Sequence, residues 1–408
     1  MLTQSSHFNP RLESLRGLAA LIVAVAHSFR VLNAGGFQAF AVWTIDMVFN
    51  GDAAVTVFFV LSGYVLGLGI RRSSHSLGRL MVGFGIRRVF RIYPMFFVSA
   101  VVVAGFLFIG ACFEGLIPLW FNTVSDYRPT VLRSSTSPEW HGVFLHFLLW
   151  NPAPNPVTWT LGIELRCSLL LPLLHWCSAR LSGRGKFMLL LGLIAMAGAG
   201  KWCLLFGWVN LEAQLSLWLS AFGGVLFLFY LGYLLPEVAP AVIAMLERRS
   251  AGRWLLFPGA PVILIGAHHW GDDLRILQGF AAATIIAQMV CGSRQDSWRW
   301  LDLAAMRFLG KISYGFYLWH DLILIVLARS MMHFLPANLL TTVPLFLGIV
   351  LLLLSGMTAI GVAAVCHRWI ETPFINWGRQ FTGWLCPSAS TLRSAAVGQF
   401  PPDLPRAA

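Results

Sequence analysis

Arg16 and His27 lie eleven residues apart in an otherwise apolar stretch. Eleven residues make about three helical turns, so on a helix both side chains share one stripe. Along the axis they are separated by roughly 16 Å. A guanidinium then sits toward one membrane face and an imidazole close to mid-bilayer, where ionisable groups are costly and mark function by default. A neutral imidazole is suited to proton abstraction near neutrality. In an apolar helix it would deprotonate a hydroxyl attacking an ester or thioester. The competing reading of His27 is a histidine hydrogen-bonded inside a helix bundle.

A second cluster is basic. Arg71, Arg72, Arg79, Arg87, Arg88 and Arg91 fall in about twenty residues, the last three in the run Arg87-Arg88-Val89-Phe90-Arg91-Ile92-Tyr93-Pro94. This exceeds what topology needs, and the choice of Arg over Lys suits bidentate phosphate binding. A phosphorylated cytoplasmic ligand and anionic lipid headgroups compete as partners. The cluster reads as a loop, with Pro94 opening the helix that follows. A third group is Trp159–Ser168, with Glu164 and Arg166 near the outer end of a span. Residues i and i+2 point about 200° apart on a helix, so each of the two faces its own polar partner. A fourth is Ser313, Tyr317 and His320, which share a helix face, followed by Asp321 and, at the last span, Arg368, Glu371 and Pro373. That stripe lines a bundle interior, and helix–helix adhesion is favoured over substrate binding for most of it. His268, His269, Asp272 and Asp273 read as an interfacial turn. No Walker A, G-x-S-x-G or H-E-x-x-H pattern occurs, and no metal site is expected.

Composition says what must position these groups. Of 408 residues 57% are hydrophobic and 11% charged, with mean hydropathy +0.72, against roughly 25% charged in a soluble chain. The expected fold is an all-α polytopic membrane protein. The net charge of +12 lies between apolar segments and so does not indicate nucleic acid. Ten spans are expected near 12–33, 51–70, 92–112, 157–178, 187–207, 215–235, 254–270, 275–291, 312–333 and 343–366. Arg and Lys alternate across their connections, which puts even-numbered loops and both termini in the cytoplasm. The first apolar segment lacks a small-residue cleavage site, so no removable signal peptide is expected. The seven cysteines contain no C-x-x-C pair and read as packing residues. The chain divides into a transmembrane domain over 1–373 and a Pro/Ser-rich tail over 374–408, expected to be disordered. The long connection from Cys112 to Val157, with Trp120, Trp140 and Trp150, is the largest piece outside the spans.

Taken in order, these motifs resemble the acyltransferase 3 family of integral membrane O-acyltransferases over roughly Phe8–Pro373. The carrying residues are Arg11–Gly17 with His27, Phe58–Gly63, Arg87–Pro94, Trp159–Glu164, Ser313-Tyr314 with Tyr317 and His320, and Glu371 with Pro373. The resemblance implies transfer of an acyl group, often acetyl, from cytoplasmic acyl-CoA to a hydroxyl of a cell-envelope or exported glycan or a lipid-linked sugar. It implies a bacterial cytoplasmic (inner) membrane location and membrane lipids as surroundings. Acyl-CoA, acetyl-CoA first, is then a donor substrate and no cofactor stays bound. His27 is expected as general base, with Arg16 and Glu164 completing the catalytic set. Arg71, Arg72, Arg87, Arg88 and Arg91 are expected to hold the donor. Thr56 stands where the family often has an acidic residue, so no acidic role carries over there. The alternative is a flippase or transporter of a lipid-linked or small anionic substrate that does no acyl transfer.

Overall fold

The computed structural model describes residues 9–30, 36–73, 75–112, 144, 146–149, 155–205, 213–267 and 275–386. Among these there is no strand, as the composition requires. In chain order the principal helices are α1 (Pro10–Arg30), α2 (Gly36–Val48), α3 (Gly51–Arg71), α4 (Leu77–Cys112), α5 (Thr158–Ser178), α6 (Gly183–Leu205), α7 (Ala213–Glu247), α8 (Ser250–Gly266, with a π-turn at Leu255–Gly259), α9 (Arg275–Cys291), α10 (Ala304–Phe334), α11 (Ala337–Thr342), α12 (Pro344–Cys366) and α13 (Thr372–Leu385). A 3₁₀ segment, Gln295–Asp302, leads into α10, and a π-turn, His367–Glu371, joins α12 to α13.

Among the described residues, six helical stretches are long and apolar enough to cross a membrane. A seventh is added if α9 and the 3₁₀ segment, bent by 92° where they meet, form one span. The chain is thus an integral membrane protein. Helix α5 has 21 residues, the length a span needs, but it carries Glu164, Arg166 and His175 and is not one of the six.

Two expectations are corrected here. The basic run is no loop. Helix α4 begins at Leu77, so Arg79, Arg87, Arg88 and Arg91 are helical and Pro94 lies inside the helix. Arginine is a good helix former, and α13 packs along this segment, with Phe374 and Phe381 against Phe90. At 36 residues, α4 is about 54 Å long, well beyond a ~30 Å hydrocarbon core. Nor does order end at Pro373: the chain runs on as α13 to Leu385. Residues 387–408, the long connection with Trp120, Trp140 and Trp150, and the cluster His268 to Asp273 lie outside the described residues.

Two glycine-to-backbone crossings fix the core. A Cβ on Gly17 would stand 2.6 Å from the Gly310 nitrogen, and one on Gly310 would stand 2.6 Å from the Glu13 carbonyl oxygen. Helices α1 and α10 therefore touch backbone to backbone, which only glycine permits. In the second crossing, of α3 with α7, a Cβ on Gly63 would meet the Phe229 carbonyl oxygen and one on Gly232 the Val60 carbonyl oxygen, both at 2.0 Å. Beyond the first crossing α1 and α10 run parallel. Ten residues on from Gly17 and from Gly310 stand His27 and His320, with stacked rings. At the opposite end Arg11 donates to Asp302 at 2.7 Å and to the Gln295 carbonyl at 2.8 Å, tying the start of α1 to the segment before α10.

Candidate active site

His27 meets two residues of α10. Its Nδ1 lies 3.0 Å from Asp321 Oδ1 and 3.4 Å from His320 Nε2. Asp321 and His320 are buried, and His27 is partly open. His320 Nδ1 lies 2.7 Å from the Tyr317 carbonyl oxygen. A carbonyl only accepts, so that nitrogen carries the His320 proton and Nε2 holds a lone pair. An ionised carboxylate also only accepts, so His27 Nδ1 donates to Asp321. This leaves His27 Nε2 as the lone-pair nitrogen of a histidine oriented by an acidic neighbour, the arrangement of a positioned base.

A cavity of about 430 Å³ opens beside His27. Its walls include Arg30 at the end of α1, Asp52 and Val55 on α3, Trp159 on α5 and Tyr317 on α10. Tyr317 is braced from behind, since Thr160 Oγ1 lies 3.0 Å from its hydroxyl and Phe58 meets its ring edge-on. Arg30 is paired with Asp46 at 2.6 Å. An indole face beside charged and hydroxyl groups suits a polar ligand with an apolar ring face.

Toward the start of α1 lies a second polar cluster. Arg88 is buried and donates to Glu164 at 2.7 Å and to Ser168 at 3.1 Å. Ser62 Oγ stands 3.4 Å from the same carboxylate. Arg91 approaches Glu371 at 3.7 Å, and His367 stands 2.9 Å from that carboxylate. Arg16 faces Glu164, Glu371, Arg88 and Arg91 electrostatically, while its Nε makes no hydrogen bond among the described residues. Three guanidiniums thus confront two carboxylates, and the cluster is net positive before any ligand arrives.

The predicted residues divide accordingly. Arg16, Glu164, Arg88 and Arg91 come together, and His27 stands apart at the cavity. Glu164 is not among the residues that line the cavity, and Arg88 holds it. Arg166 donates to the Leu149 carbonyl at 3.0 Å, so the two residues take separate partners as their spacing requires. Arg71 is bound to Glu237, donates to the Tyr233 carbonyl at 3.0 Å and lies over the Tyr233 ring at 4.0 Å. Lys186 joins that carboxylate at 2.6 Å. Arg71 and Arg88 have thus committed their donor forks inside the protein, whereas Arg72 and Arg87 are exposed. Sequence reasoning did not see the contact of His320 with His27 and, though it named Asp321, gave it no role. The one signal for it was a carboxylate within an apolar segment. Cys167, Cys177, Cys291, Cys366 and Cys386 are free thiols.

The chain is similar in sequence to several known proteins. A protein of Acidianus two-tailed virus that bears the name "Putative acetyltransferase ORF330" is 29% identical over 199 residues, 47% of each chain. Nodulation protein 10 of Rhizobium leguminosarum bv. viciae is 27% identical over 211 residues, 48% of this chain and 51% of the relative. Acyltransferase R4 of a Phoma species is 26% identical over 220 residues, 43% and 45% of the two chains. The chain spans about half the length of these curated relatives. No solved structure matches. The family profile described as an acyltransferase domain matches residues 9–365, taking in both polar clusters almost entirely, and the chain belongs to that acyltransferase family.

Proposed function

We propose that this protein transfers an acyl group, acetyl first, from cytoplasmic acyl-CoA to a hydroxyl of a cell-envelope or exported glycan or a lipid-linked sugar. The observation that carries the reading is the contact of His27 Nδ1 with Asp321 beside a cavity. The acceptor hydroxyl enters that cavity and gives its proton to His27 Nε2. Its oxygen attacks the thioester carbonyl, forming the new C–O bond. The C–S bond then breaks, and the proton passes from His27 to the departing CoA thiolate. Asp321 stabilises the imidazolium between these steps. It is a positioning residue, because it touches His27 and not the substrates.

The donor comes from the other side. Of the arginines expected to hold the donor, Arg72 and Arg87 are exposed and Arg91 is half-exposed, and these bind the CoA phosphates, which suit guanidinium forks. The inner cluster then guides the pantetheine arm, with Arg16 as the guanidinium still able to bond a ligand through its Nε. About 16 Å separates Arg16 from His27 along α1, a distance for a flexible arm to cover. Arg88 and Glu164 frame that passage by holding one another. Ten spans in a bacterial inner membrane, with both termini cytoplasmic, put the donor cluster inside and the cavity outside. The parallel run of α1 and α10 fits that arrangement.

The test is transfer of labelled acetyl from acetyl-CoA to an envelope glycan extract by purified protein in liposomes. Wild type is expected to label glycan and His27→Ala to be inactive, while Arg87→Ala needs more donor for the same rate. A folded His27→Ala protein that transfers at the wild-type rate would remove the base from the mechanism.

A further inference from the structure

His27, His320 and Asp321 offer three ligand atoms that all lie within 4.8 Å of one another. Two of the separations are 3.0 Å, from His27 Nδ1 to Asp321 Oδ1, and 3.4 Å, from His27 Nδ1 to His320 Nε2. Zinc bound at roughly 2.0–2.1 Å in a tetrahedron places its ligand atoms about 3.3–3.4 Å apart. The existing spacing is therefore close to that of three corners of a zinc site.

The proton count points the same way. The Tyr317 carbonyl fixes the His320 proton on Nδ1, so His320 Nε2 and the Asp321 oxygen are both acceptors. Only one proton, on His27 Nδ1, lies between them. Given to Asp321, it leaves the His320 Nε2 lone pair unsatisfied in a side chain 1% exposed. A cation at the centre would satisfy all three atoms at once. The backbone contact that orients His320 is also the support a metal-bound histidine needs from its second nitrogen. Of the three ligands His27 also lines the cavity, whereas His320 and Asp321 lie buried behind it.

We infer that His27, His320 and Asp321 form a binding site for a zinc-class divalent ion, and that the ion inhibits acyl transfer. Binding at His27 Nδ1 moves the single imidazole proton to Nε2. No proton is released and no redox change occurs. The nitrogen that should accept the acceptor's proton then already holds one. Binding stands independently of the function proposed above; inhibition rests on it.

Cobalt(II) reports such a site through its visible absorption. Tag-free protein in detergent is titrated with Co²⁺, followed by displacement with Zn²⁺, for wild type, His320→Phe and Asp321→Asn. Phe keeps the ring packed on Phe316 but removes the ligand; His320→Asn is the fallback should Phe fail to fold. Wild type is expected to develop a tetrahedral band saturating at one equivalent and erased by zinc, with affinity at least tenfold lower in each variant. No band in wild type, or a band unchanged in His320→Phe, overturns the site. In the transfer assay zinc is expected to abolish wild-type turnover and to leave the residual turnover of His320→Phe unaltered. A bound ion that leaves wild-type transfer intact keeps the site but refutes His27 as base.

Discussion

Replacing Asp321 with Asn isolates what the carboxylate does for His27. Asn keeps the shape and an acceptor for the Nδ1 proton but removes the charge. At the observed 3.0 Å, a full imidazolium–carboxylate attraction is worth roughly 5.5 kcal/mol at an effective dielectric constant of about 20. In the transition state the proton is only partly transferred, so about half of that, ~2.7 kcal/mol, is at stake. At ~1.4 kcal/mol per decade this is about a hundredfold loss of kcat. Asp321 does not belong to the arginine cluster, so KM for acyl-CoA is expected to hold within about twofold. The assay is steady-state thiol release from acetyl-CoA with acceptor present, on protein whose melting curve matches wild type. A folded Asp321→Asn enzyme with unchanged kcat refutes the reasoning. A selective rise in donor KM would refute it too, since the carboxylate would then act on the donor instead of on His27.

Other outcomes follow from the packing. Gly17→Ala should be destabilised by about 1–3 kcal/mol, because its methyl would meet the α10 backbone at 2.6 Å. The same push should part His27 from Asp321, so activity should fall at temperatures where the protein is still folded; thermal melting and transfer on one sample decide it. Arg88→Met takes from Glu164 its hydrogen-bonded guanidinium, leaving only Arg16 and Arg91 nearby, and should cost about 3 kcal/mol, while Arg88→Met with Glu164→Leu should recover most of it. Equal melting temperatures for the single and double variants would mean that the pair holds nothing in place. Arg72→Gln and Arg87→Gln should leave the melting temperature unchanged and weaken acyl-CoA binding, more strongly at low than at high salt. Loss of folding on removal of either would instead make them structural.

Read alone, the sequence determined the medium and the local periodicity. Low charge and long apolar runs require helices in a membrane, because backbone groups in lipid must be satisfied within the segment. The eleven-residue spacing put Arg16 and His27 on one helical stripe, and the i, i+2 geometry kept Glu164 from Arg166. These are properties of a single helix and need no neighbour. It misjudged Arg79–Arg91 as a loop because charge density resembles a connection unless the packing of α13 on that segment is known.

Only the tertiary structure decided which polar groups meet. Arg88 and Glu164, 76 residues apart, neutralise one another, which turned two of the expected ligand-contacting residues into a frame. His27 and His320, 293 residues apart, stack, and the next residue, Asp321, accepts a hydrogen bond from His27 Nδ1. Gly17 and Gly310 look unremarkable within their own helices. What they supply is the absence of side chains at one crossing, and that lets α1 and α10 lie close enough for their polar stripes to touch ten residues further on. Helix association in lipid depends on such matched small surfaces and not on any one helix's hydrophobic pattern, so the pairing that builds the candidate site appears only when both helices are in place.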